Sequence, residues 1–148
     1  MSPPAKPKAD NASGKKPATA RPRQPANAGP QSFARLLEPY PKAVRDVAAH
    51  LRCLVYEVAP SAHEGIYLCR KVGIALYAAA EGANVFCGIQ PSATRCLLYV
   101  HNVGQADCDV LPMEGKGRHA QHVQFGAVNE IRTEAVRNLL WIAVKRTG

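Results

Sequence analysis

The chain has 148 residues, 47% of them hydrophobic and 20% charged, with nineteen Lys/Arg against eleven Asp/Glu and a formal net charge of +8. That length fits one domain. No run reaches the roughly 18 apolar residues a membrane-spanning helix needs, which excludes a helical membrane protein and leaves a protein with no membrane partner.

The composition is divided. Residues 1–30 hold seven of the twelve prolines and no Leu, Ile, Val, Phe, Tyr or Trp. They also hold Lys6, Lys8, Lys15, Lys16, Arg21 and Arg23 against the single acid Asp10. Such a segment has too little apolar surface to offset an ordering cost of roughly 1–2 kcal/mol per residue, and is expected to be a disordered basic tail. It has neither the apolar run of a secretory signal nor the amphipathic pattern of a mitochondrial presequence. Residues 31–148 are the expected folded domain. The five cysteines (Cys53, Cys69, Cys87, Cys96 and Cys108) are scattered, with no C-x-x-C pair. That pattern fits a reduced, cytoplasmic setting with mostly buried thiols.

Along the chain, Phe33 to Leu37 suggests a helical turn, followed by Pro39 and Pro41. Pro41 suits the first turn of a helix, where its missing N–H has no partner to lose. From Lys42 the apolar residues Val44, Val47, Ala48, Leu51, Leu54, Val55 and Val58 recur at helical period, and Pro60 ends the run. Lys42, Arg45, Asp46, Arg52 and Glu57 read as its solvated face. Four short segments then look like antiparallel strands separated by turn residues: 66–69, 72–77, 84–89 and 96–103. The alanine-rich stretch from Gly73 to Ala80 leaves a helix open there, although its shortness favours a strand. Residues 104–113 read as irregular. His119 to Phe125 alternates as a half-buried strand would. Thr133 suits an N-cap, with Glu134 behind it. Val136, Leu139, Leu140, Ala143 and Val144 form the buried face of a closing helix, and Lys145 and Arg146 favour its C-terminal end. The expected architecture is two-layer α+β: an antiparallel sheet with an N-terminal and a C-terminal helix on one face.

Several short motifs in residues 35–146 carry a family resemblance. They are Val58-Ala59-Pro60 at the end of the first long helix, Glu64-Gly65-Ile66, Glu114-Gly115-Lys116-Gly117-Arg118, Glu130-Ile131 and Leu139-Leu140. In these the chain resembles the YdhG-like family of small uncharacterised domains. The resemblance implies a two-layer α/β fold. Because some members are described as frataxin-like iron chaperones, it also implies an iron-handling alternative. One family feature, a Trp/Tyr-Gly-x-Pro step, is replaced here by Tyr67-Leu68-Cys69-Arg70-Lys71-Val72, which puts any pocket shaped by that step in doubt.

The candidate sites are few. Glycines flanking Lys116 free the backbone to gather N–H groups around an anion, and Lys116 and Arg118 add charge. Gly115, Lys116, Gly117 and Arg118 are therefore the candidate anion or ligand site, the alternative being a tight turn with solvated cations. The tail cations Lys6, Lys8, Lys15, Lys16, Arg21 and Arg23 could give weak, salt-sensitive, sequence-independent nucleic-acid binding, or simply aid solubility. For metals, Asp107 and Asp109 are the only close acidic pair. His119 and His122 would point to opposite faces of a strand, and His50 and Cys53 share a helix face but lack further ligands. No metal site, cofactor or catalytic constellation emerges. The expected protein is a non-enzymatic cytoplasmic binding or chaperone-like module, monomeric or homodimeric, with an anionic ligand or a protein partner. A nucleic-acid-associated accessory protein is the alternative.

Overall fold

A computed structural model describes residues 29–69, 72–115 and 120–147. Two helices open it: α1 (Gly29–Leu37) and α2 (Lys42–Val58). Five strands follow: β1 (His63–Cys69), β2 (Val72–Ala78), β3 (Val85–Pro91), β4 (Cys96–His101) and β5 (Ala120–Phe125). Helix α3 (Thr133–Thr147) closes the fold. The strands form one antiparallel sheet in chain order, β1-β2-β3-β4-β5. Consecutive strands pair as neighbours because short connections bring each strand straight back beside the last. The expected α+β architecture is present, with α1 a full helix of nine residues rather than a single turn. Among the described residues, no helix is long and apolar enough to cross a membrane.

Period explains the layers. On α2, Val44, Val47, Ala48, Leu51, Leu54 and Val55 are buried, and on α3, Val136, Leu139, Leu140 and Ala143 are buried. Both helices pack on β3 and β4, while α1 packs on β1 and β2 with Phe33, Leu36 and Leu37 buried. Each strand sends alternate side chains to that helical layer. Ala75, Ile89, Leu98 and Val123 align in register across four strands and are all buried. Gly73 takes no side chain because a Cβ there would collide with the Leu36 side chain of α1. The alanine-rich stretch is strand β2 as far as Ala78, paired with β1 and β3, rather than a helix. A bulge between Tyr77 and Ala78 lets two successive residues of β3, Phe86 and Cys87, both be fully buried.

Three expectations need correction. Strand β1 begins at His63, not Ile66, so Glu64 lies inside the sheet. Strand β4 ends at His101, because Asn102 takes a left-handed conformation (φ 63°) and turns the chain away. Thr133 is the first residue of α3 rather than its cap; the Val136 N–H bonds the carbonyl of Arg132, and the Thr133 hydroxyl lies 3.3 Å from His50 Nε2.

Candidate functional site

The two sides of the sheet differ in chemistry. On the helical side sits one buried carboxylate, Glu64, 5% exposed. Arg52 of α2 grips it with two bonds, Nε to Oε2 at 2.6 Å and Nη2 to Oε1 at 3.0 Å. The Tyr77 hydroxyl donates to Oε2 at 2.6 Å. Arg52 lies between the rings of Phe33 and Tyr56, 5.0 Å from each centroid, and Tyr56 meets Tyr77 edge-on. The bond to Glu64 raises the Arg52 pKa, and burial followed by the Glu64 charge raises that of Tyr77. Every partner is matched, so this cluster serves as a bolt between α2, β1 and β2. The assignment of Arg52 to a solvated face is corrected: its position beside Leu51 allows a long side chain to reach inward and cover apolar rings.

On the other side no helix packs among the described residues. Cys96, Leu98 and Val100 of β4 are buried, while Leu97, Tyr99 and His101 are half-buried. Register carries this open face across the sheet in a row: Gly65, Leu76, Gly88, Tyr99 and His122. At Gly88 an added Cβ would lie 2.9 Å from Leu76 Cδ2 and 3.2 Å from Ile74 Cδ1, so those two side chains lean over the glycine. The Tyr99 and His122 rings adjoin with centroids 5.1 Å apart. Alternation from the buried Glu64 also places His63 and Tyr67 on the open side. Glu64 is the only carboxylate in the five strands, and it points the other way. The strands therefore place tyrosine, histidine, glutamine and aliphatic side chains on the open face, and the Glu114 carboxylate reaches that face beside His122 and Gln124.

The candidate turn adjoins this face. Glu114 and His122 exchange both backbone hydrogen bonds at 2.8 Å, which seats Glu114 against the edge of β5. Gly115 has φ +115°, a conformation that requires glycine. Lys116, Gly117 and Arg118 lie outside the described residues, as do His119 and the tail cations Lys6, Lys8, Lys15, Lys16, Arg21 and Arg23. At this bridge, His122 Nε2 is 3.4 Å from Glu114 Oε1, which also accepts from Gln124 Nε2 at 2.8 Å.

The end of the sheet that carries His101 adds a groove of about 550 Å³ lined by Leu76, Asn84, Val85, His101, Asn102 and Arg146. Arg146 forks onto Asp107 with two bonds of 2.9 Å and reaches the Asn102 carbonyl at 3.1 Å. Arg146 and the Gly104 N–H hold the Asp107 carboxyl below its ordinary value. Asp107 is thus tied into a clasp between loop and helix, so the Asp107/Asp109 pair is not an open ligand set. Among the described residues, no group of three or more His, Cys, Asp or Glu could hold a metal. Cys53 is exposed, and Cys87, Cys96 and Cys108 are buried. Burial pushes the Cys96 thiol up to about 12 and Cys87 well above its ordinary range, so neither is a thiolate at neutral pH.

No family model, curated protein or solved structure matches this chain.

Proposed function

We propose that the protein is a small non-enzymatic, cytoplasmic binding module of the YdhG-like kind, holding an anionic ligand or partner on the open face of its sheet and on the neighbouring Gly115–Arg118 turn. The supporting observation is the face itself, with half-buried tyrosine and histidine side chains on strands β1, β4 and β5 and no strand carboxylate, together with the positive φ of Gly115, after which the sequence continues Lys116-Gly117-Arg118. Backbone N–H groups in a turn with positive φ, reinforced by Lys and Arg, favour phosphate or carboxylate groups. The family assignment rests on the short motifs alone. The buried thiols lack the activation that a catalytic cysteine needs. The iron-chaperone alternative lacks a carboxylate cluster among the described residues; a titration without saturable iron binding closes it.

The test is a thermal-shift series with phosphate, sulfate and polyphosphate on the full chain. The expected result is a concentration-dependent rise in Tm that is largely lost in the Lys116→Ala/Arg118→Ala double variant. An identical profile for both proteins rejects the anion site.

A further inference from the structure

We draw no further inference here: the strongest candidate, the uncovered sheet face around Tyr99 and His122, has its bordering charges matched within the chain, Arg146 by Asp107 and Glu114 by His122 and Gln124, and nothing in the structure shows what covers it.

Discussion

Leu97 and Leu98 are neighbours on one strand, and they belong to different worlds. Leu98 is fully buried against the helical layer, in register with Ile89 and Val123. Leu97 is half-buried on a face that no described helix covers. The same division runs through the polar groups. On the helical side Glu64, Arg52 and Tyr77 satisfy one another completely. On the open side Tyr99 and His122 meet ring to ring, with the Glu114 carboxylate 3.4 Å from His122 Nε2. One side spends its specific contacts on holding the fold together, and the other keeps polar and aromatic groups within reach of solvent. A packed core and an uncovered face therefore share one five-stranded sheet, separated by the thickness of a backbone.

The contrast can be broken most forcefully at Glu64. Glu64→Ala should cost about 3–5 kcal/mol in urea unfolding, because Arg52 is left without its counter-charge and the Tyr77 hydroxyl without its acceptor. A loss below about 1 kcal/mol would show the cluster to be dispensable and weaken the division between the faces.

The paired substitutions Leu98→Ala and Leu97→Ala read the division directly. Leu98→Ala opens a cavity in a packed layer and should cost about 2–5 kcal/mol. Leu97→Ala should cost less than about 1 kcal/mol, in line with a partly solvated site. Equal losses would mean that the open face is covered in solution, and the oligomeric state would then be the quantity to measure.

Alkaline pH probes the closed side again. Cys96 and Cys87 are protonated in the folded protein well beyond the range where an exposed thiol ionises. Their pKa values are raised on folding, so this contribution is complete below about pH 8.5. It falls as pH rises toward about 12 for Cys96. The expected slope is up to about 1.4 kcal/mol per pH unit for each buried thiol. Cys96→Val should flatten the stability profile between pH 9 and about 12; an unchanged slope would place the ionisation elsewhere.

The smallest expected effect lies at the rim, at Asp107. Its depressed pKa means that its contribution is present above the ordinary value of about 3.9 and is lost as pH falls through the folded value. An NMR titration of the Asp107 carboxyl should give a midpoint below 3.9, returning toward it in Arg146→Ala. A midpoint already at 3.9 in the wild type would mean that the clasp is open in solution.

Much of the architecture was legible from side-chain period. The buried stripes of α2 and α3 and the order of helix, strands and helix follow from where the apolar residues recur. Strand β1 was placed three residues late because a charge followed by glycine, Glu64-Gly65, carries the local signature of a loop. The candidate site was legible only in part. Gly115 does take the positive φ that two flanking glycines suggest, but the row Leu76, Gly88, Tyr99 and His122 is invisible in one dimension. These residues lie on four strands separated by ten or more positions, and only strand register brings them together.

By itself, the sequence determined what depends on neighbours along the chain. Helical and strand periods, the punctuation by Pro and Gly, the net charge and its concentration in residues 1–30 are local properties, and local steric and hydration preferences act on them directly. Tertiary structure alone decided which face of the sheet would be covered, and therefore which side chains stay within reach of solvent. It also decided that Arg52 and Glu64 would meet. A charge becomes buried only where a matching charge and a hydroxyl arrive from other elements to replace its lost water. That replacement depends on three-dimensional proximity, which no pattern along the chain encodes.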